Sequence, residues 1–403
     1  MYNIRLENYV PEPRPATTDR IIAAHYYAAW KKGAAQIHSA FDDLTAYPER
    51  TPLMGYYDEE NPEVCDWEIK WAVEHGINCF IHCWYRNLEN TGKPLTPNDL
   101  RCGHGLHEAL FNAKYQKYMK FAIMFENSPR WGTAENLDDL LNNLMPFWVE
   151  QYFSRDNYLK IDNKPVMFIY YPKRLQEVFG TPEAQKAAYD ACRKEAVDKY
   201  GFNGMIFAVC DTVPTEEANN NALARGYDFR FGYNAGYISE DHYPAAEEII
   251  EAQLGLLKTR LDIDPLHFIP TPSCFSDPTP RTTPHWMKMG YGFNKCKIWY
   301  LEPDEYRKLL RSIKEKVDAL PENAWAKKII MIDNWNEWDE GHFVAPSIQF
   351  GFRYLQAIRE ELTQRDNLPD YRSPWDMGLQ GNLNKNWDEP DFGLVCATRL
   401  FKK

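Results

Sequence analysis

Short apolar runs alternate along this chain with longer segments whose apolar residues recur at helical spacing. Ile21 to Tyr27 (IIAAHYY) predicts the first strand. Pro62 opens a helix that carries Trp67 and Trp71 four apart, and Gly76 ends it. Ile77 to Trp84 (INCFIHCW) predicts the second strand, and a helix over Leu106 to Met119 leads to the third, Phe121 to Phe125. Leu137 to Phe153 is helical by period, and the turn Asp162-Asn163-Lys164 precedes the fourth strand, Pro165 to Tyr171. The helix Pro182 to Tyr200 precedes the fifth, Gly204 to Cys210. After the short helix Glu216 to Ala224 comes the weakest strand signal, Tyr227 to Tyr233. Ala245 to Arg260 is amphipathic, His267 to Pro272 is the seventh strand, and Glu302 to Val317 is a further helix. Ile329 to Ile332 is the eighth strand, and Ser347 to Leu362 closes the pattern. Eight strands, each followed by a helix, is the count of a (β/α)8 TIM barrel, here residues 1–365. From Asp366 to Lys403 the period is lost, which predicts a coil extension packed on the barrel.

Polar and aromatic residues gather where the predicted strands end. His25, Tyr26, Tyr27, His82, Trp84, Glu126, Asn127, Tyr170, Tyr171, Asp211, Asn234, Asp277 and Glu337 all fall there. In such a barrel the C-terminal strand ends converge on one rim, where active sites lie.

The densest chemistry is KIIMIDNWNEWDEG, Lys328 to Gly341. An apolar strand gives way abruptly to Asp333, Asn334, Asn336, Glu337, Asp339 and Glu340 around Trp335 and Trp338. Indole faces stack on sugar rings, and carboxylates move protons. If the chain turns helical here, Glu337 and Glu340 share a face with Cβ atoms about 5–6 Å apart. A retaining glycosidase needs carboxyls roughly 5–5.5 Å apart. The bland alternative is an acidic first helical turn with both tryptophans in the core.

Composition narrows the classes. The 403 residues carry a net charge of -12, which disfavours a nucleic-acid partner. Thirteen Trp and 25 Tyr exceed what a core alone asks for, as expected of a cleft that stacks on sugars. Nine cysteines without paired spacing predict free buried thiols in a reducing compartment. No stretch approaches a membrane span, and the N-terminus has no basic and apolar leader pattern. A cytoplasmic location follows, or a periplasmic one if a leader has been removed.

Four pieces carry a family resemblance: AHYY at Ala24 to Tyr27, GYYDEENPEV at Gly55 to Val64, SDPTPR at Ser276 to Arg281, and WNEWDEG at Trp335 to Gly341. Together they resemble the glycoside hydrolase family 99-like group, including the WbsX-type proteins labelled glycosyltransferases. The resemblance implies a (β/α)8 fold and, for the hydrolases, retaining cleavage of α-linked mannosides. It places a glutamate that engages the sugar 2-hydroxyl at Glu337 and the acid/base at Glu340. Asp339 stands where those hydrolases carry histidine, a departure that bears on substrate identity.

Other constellations weigh less. Cys102, His104 and His107 mimic zinc ligands without a fourth partner at fitting spacing, so no metal is expected. Asp262-Ile263-Asp264 matches the D-x-D of metal-dependent glycosyltransferases but falls at the opposite end of the barrel from the polar rim. No glycine-rich nucleotide or phosphate loop occurs, so no cofactor is expected. Arg281 near Asp277 is read either as a structural pair or as an anionic-sugar ligand.

The expected function is a glycoside hydrolase acting on an oligosaccharide or polysaccharide with a manno-configured sugar, mannose or rhamnose. Glu337 and Glu340 are its catalytic pair. His25, Tyr26, Tyr27, His82, Trp84, Glu126, Asn127, Asp211, Asn234, Asp277, Arg281, Trp335, Asn336 and Trp338 are its candidate substrate contacts. The alternatives are a WbsX-type glycosyltransferase and a non-catalytic glycan-binding barrel.

Overall fold

A computed structural model describes residues 8–32, 41–235, 243–289 and 298–383. Seven parallel strands follow one another around the sheet in chain order: β1 (Ile21–Tyr26), β2 (Cys79–Arg86), β3 (Lys120–Phe125), β4 (Lys164–Ile169), β5 (Ile206–Cys210), β6 (Phe229–Phe231) and β7 (Ile329–Ile332). β7 returns to β1 with Ile21 opposite Ile329 and Ala24 opposite Ile332. The eighth position, between β6 and β7, is filled by residues 267–272. Arg230 N–H donates to the His267 carbonyl at 2.8 Å, and Ile269 N–H to the Arg230 carbonyl at 3.0 Å. On the other side Met331 N–H reaches the Pro270 carbonyl at 3.1 Å and Asp333 N–H that of Pro272 at 3.3 Å. This stave lacks a regular ladder because Pro270 and Pro272 have no N–H to give. It still closes the (β/α)8 barrel that the pattern predicts.

The strands are buried on nearly every residue, as a barrel wall covered by helices requires. Helix α1 (Pro62–Glu74) begins where Asn61 Oδ1 accepts the Glu63 N–H at 2.9 Å. Its Trp67 and Trp71 rings lie 5.5 Å apart. Helices α2 (Pro182–Asp198), α3 (Glu216–Ala224), α4 (Ala246–Ile263), α5 (Pro303–Asp318) and α6 (Arg353–Leu362) lie near their predicted spans.

One predicted helix is absent. Over Leu106 to Met119 the chain forms only short turns, Gly105–Ala109, Leu110–Asn112 and Gln116–Tyr118. The Asp66 carboxylate on α1 takes the N–H groups of Tyr115 at 2.7 Å and Lys114 at 3.0 Å, which a helix would have used internally. Local period cannot register a competing acceptor from another element.

The described part of the tail runs back along α1. Thr17 N–H donates to Asp366 at 3.0 Å, Asn367 Nδ2 to the Glu74 carbonyl at 2.9 Å, and Asp58 N–H to the Leu383 carbonyl at 3.0 Å. Residues 384–403 of the predicted extension lie outside the described residues.

Candidate active site

The acidic motif turns back on itself immediately after β7. Trp335 N–H donates to the His25 carbonyl at 2.7 Å, which ties the turn to the end of β1. Asn336–Glu337 then pairs antiparallel with His342–Phe343, with Glu337 opposite His342. Gly341 closes the hairpin at φ +62°, and a Cβ there would strike the Asp277 carbonyl. The helical turn expected for Glu337 and Glu340 is therefore a hairpin. The spacing of three survives as two carboxylates at either end of one tight turn.

Both carboxylates face a cleft of about 450 Å³ at the C-terminal ends of the strands. Glu337 is only 4% exposed. Its Oε1 accepts the Tyr233 hydroxyl at 2.5 Å, while Oε2 has no hydrogen-bond partner among the described residues. Arg281 Nη2 stands 3.8 Å from that oxygen and also bonds Asp339 at 3.0 Å. Arg281 Nη1 pairs with Glu340, whose Oε2 meets His342 Nε2 at 2.8 Å.

The two carboxyls differ sharply in proton affinity. Burial, and then the neighbouring Glu340 charge, push Glu337 well above the usual carboxylate range. Glu340 is also penalised by burial, yet Arg281 and the hydrogen bond to His342 outweigh it and hold the group low. A proton shared by the pair rests on Glu337, and Glu340 is ionised. A third carboxyl, Glu126, lines the same cleft. Burial pushes it up to about 7 even though Ser128 N–H and Oγ both donate to it at 3.2 Å.

Tyr27, Glu126, Arg281, Glu337 and Glu340 thus meet at one cleft, together with Tyr170 and Tyr171 from the end of β4. Other expected contacts do not reach it. Trp335 and Trp338 are 0% and 1% exposed and anchor the hairpin from below. Trp335 Nε1 donates to Glu68 Oε1 at 3.0 Å and Trp338 Nε1 to the Tyr57 hydroxyl at 3.1 Å. Trp84 is buried against Phe125 and Trp148, with Nε1 on the Tyr152 hydroxyl at 3.0 Å. None of the three indoles has a face free for a sugar.

His25, Tyr26 and His82 fill the barrel interior below the cleft. Burial pushes the imidazoles down to about 4 and about 3, so both are neutral. Tyr26 donates to Glu68 at 2.8 Å. Asn336 Oδ1 receives the Tyr27 N–H at 2.8 Å, and Asn127 Oδ1 that of Tyr171 at 3.1 Å, so these amides hold cleft residues without lining it. Asp211 pairs with Arg230 at 3.2 Å, and Asn234 borders a separate, water-sized cavity. Asp277 and Arg281 do not pair with each other. Asp277 binds Arg50, Tyr300 and Thr279, whereas Arg281 serves the hairpin carboxylates.

Sequence reasoning missed Tyr233, Tyr85, Trp131 and His342. Tyr233 sits one residue before the chosen Asn234, and strand alternation would have selected it. Trp131 is half-buried and forms the cleft wall with Tyr85, their rings 5.2 Å apart and edge to face. Cys102, His104 and His107 go separate ways: His104 Nε2 meets Glu59 at 3.2 Å and His107 Nε2 the Tyr152 hydroxyl at 2.9 Å. Asp264 of the D-x-D binds His267 and Asn219 at the far end of the barrel. Seven described cysteines are free thiols.

The buried indoles yield a first expected result. Trp338→Phe removes the hydrogen bond to Tyr57 while keeping most of the ring, and should lower unfolding free energy by about 1 kcal/mol. KM for a glycan should stay near the parent value. A raised KM with unchanged stability would return this indole to the substrate side.

The fold is a (β/α)8 barrel whose C-terminal rim holds a carboxylate-bearing aromatic cleft. Residues 135–358 match the family described as Glycosyltransferase WbsX, and the chain belongs to that family. It is 21% identical over 392 residues to the uncharacterized protein WxcX of Xanthomonas campestris pv. campestris strain ATCC 33913, covering 88% of this chain and 51% of that protein. The WxcX of strain B100 is likewise 21% identical over 391 residues. The chain spans about half the length of the curated relatives it matches. Among solved structures it is similar to the GH99 endo-alpha-mannosidase of Bacteroides thetaiotaomicron, with a TM-score of 0.55 and 14% identity over 85% of this chain and 96% of that one. A glycoside hydrolase-like protein gives a TM-score of 0.57 at 15% identity, covering 88% and 98%. At such identities the likeness is one of fold. No described helix is long and apolar enough to cross a membrane.

Proposed function

We propose that the protein is a glycoside hydrolase that cleaves an α-linked, manno-configured glycan with retention, using Glu337 and Glu340. One observation carries this reading. Two carboxyls on a single hairpin face one aromatic cleft, one favouring its proton and the other ionised. The surroundings separate the two carboxyls in proton affinity, as acid/base chemistry requires. Turnover runs from the form in which Glu337 has released its proton and Glu340 has gained one. Tyr27, Tyr85, Trp131 and Tyr170 supply the apolar walls on which a pyranose ring rests.

Two carboxylates so close together meet the sugar from the same side, which is unsuited to a nucleophile opposite an acid. Attack by the sugar's own 2-hydroxyl removes that demand. Glu337 takes the O2 proton, O2 bonds to C1, and the C1–O bond breaks as Glu340 protonates the departing oxygen. Water then adds to C1 and gives its proton to Glu340, while O2 recovers a proton from Glu337. Configuration at C1 is retained after the two displacements. O2 and the leaving group must be anti, as in α-mannosides and α-L-rhamnosides.

Release of sugar from such glycosides, without any added nucleotide sugar, tests the reading. Proton NMR of the first-formed product should show the retained anomer. An inverted anomer, brisk cleavage of a 2-deoxy substrate, or turnover only with a nucleotide-sugar donor would overturn it. The family's transferase description makes the last outcome a necessary arm of the experiment.

A further inference from the structure

The resting proton lies on the carboxyl that the proposed chemistry wants ionised, and Glu340, the assigned acid, is clamped by a cation. Glu340 therefore needs a donor. We propose that Asp333, His342 and Glu340 form a buried relay in which His342 hands Glu340 its proton and takes it back. His342 is thus a positioning residue acting through Glu340, an inference that rests on the hydrolase reading of Glu340.

The geometry comes from the hairpin. Asp333 ends the β7 run, and His342 returns beside it on the second hairpin strand. Asp333 Oδ1 lies 2.7 Å from His342 Nδ1, and His342 Nε2 lies 2.8 Å from Glu340 Oε2. Asn334 Nδ2, 3.2 Å from Nδ1, is itself a donor and cannot accept a proton there, so Nδ1–H is directed to Asp333. The Nε2–Oε2 line must then carry one proton, bound either to the imidazole or to the carboxyl. His342 is 3% exposed, so water does not compete for that line.

The surroundings favour the imidazolium at rest. Burial opposes the charge, but Asp333 and Glu340 outweigh it and raise His342 well above its usual value. Glu337, opposite His342 on the facing strand, holds the pair's proton at rest and adds no charge. Tyr233 offers its ring edge at 5.7 Å, and His25, neutral by burial, adds no competing charge. Arg281 approaches Glu340 from the other oxygen, Oε1.

The step balances. The Nε2 proton passes to Glu340 Oε2, leaving neutral His342 and a carboxylic acid. The C1–O electron pair goes to the leaving oxygen, which takes that proton. In the second half the attacking water gives a proton to Glu340, which returns it to Nε2. Asp333 accepts the Nδ1–H and holds the ring in place.

Histidine-selective nitrogen NMR of the parent protein should show one imidazole, protonated on both nitrogens near neutral pH, that disappears in His342→Gln. Glu340→Gln removes an anion from Nε2 and should move that imidazole's titration downward. With aryl glycosides of graded leaving-group acidity, His342→Gln and Asp333→Asn should lose roughly 10²-fold in kcat/KM on poor leaving groups. On a dinitrophenyl glycoside, which needs no protonation, they should stay near the parent. A neutral imidazole in the parent, or equal losses across all leaving groups, would overturn the relay. If the parent itself releases no sugar from any glycoside, the hydrolase reading fails instead, and the NMR arm still decides whether His342 and Glu340 share a proton.

Discussion

Glu337→Gln and Glu340→Gln are each expected to lower turnover by at least ~10²-fold, the lower end for a lost acid or base. Glutamine keeps the shape of both side chains but can neither take nor give the proton. The two variants should differ in stability. At position 337 the Tyr233 hydroxyl can still donate to an amide oxygen, and the group it replaces is largely protonated already, so thermal unfolding should barely move. At position 340 the amide removes an anion from between Arg281 and His342 and leaves two buried cations less compensated. That variant should melt lower at neutral pH. Turnover must therefore be measured on protein shown to be folded by near-ultraviolet dichroism. Parent-like activity in both variants would make the pair a structural feature of the hairpin.

Arg281→Ala is expected to cost about 3–5 kcal/mol in unfolding free energy, as when one partner of a buried ion cluster is removed. Its guanidinium bonds Asp339 and Glu340 and stands 3.8 Å from Glu337, with only 6% of the side chain exposed. Without it three carboxyls face one another in a dry turn. The pH dependence has a definite sign. Glu340 is held low in the parent, so its contribution is present above its unfolded value and lost as pH falls. In the variant that carboxyl keeps His342 but loses its guanidinium partner and is held less low, so less of this contribution remains as pH rises. The gap between parent and variant should therefore widen from acid to neutral pH. Urea unfolding at several pH values measures it, and a midpoint shift that is absent or constant with pH would contradict the ion-cluster account. Lysine should rescue only in part, because it offers a point charge where Arg281 spans two carboxylates.

The barrel was legible because its strands are apolar on both faces and its helices carry one apolar stripe, and both signals are local. The motif from Asp333 to Gly341 was legible for a similar reason: a buried strand has no local use for so many carboxylates. Spacing alone could not distinguish a helical turn from a hairpin for Glu337 and Glu340. The difference is made by Gly341, whose positive φ and lack of Cβ let Asp277 of another segment press against it. The tryptophans misled for a related reason. An indole beside a carboxylate serves a sugar or a core equally well. Glu68 on α1 and Tyr57 in the preceding loop decide for the core by accepting the two N–H groups.

By itself the sequence determined the eight staves and their order, the rim that collects the polar strand ends, and the presence of Glu337 and Glu340 on it. Each of these depends on periodicity or on composition within a few residues. Only the tertiary structure decided which polar residues share the cleft and which sit beneath it. It brought Tyr233, 104 positions away, to 2.5 Å from Glu337, and set Arg281 among the hairpin carboxylates. It also placed His342 between Asp333 and Glu340. Proton affinity depends on burial and on charges a few ångströms away, and chain separation says little about either. The ionisation of the pair is therefore a property of the folded barrel.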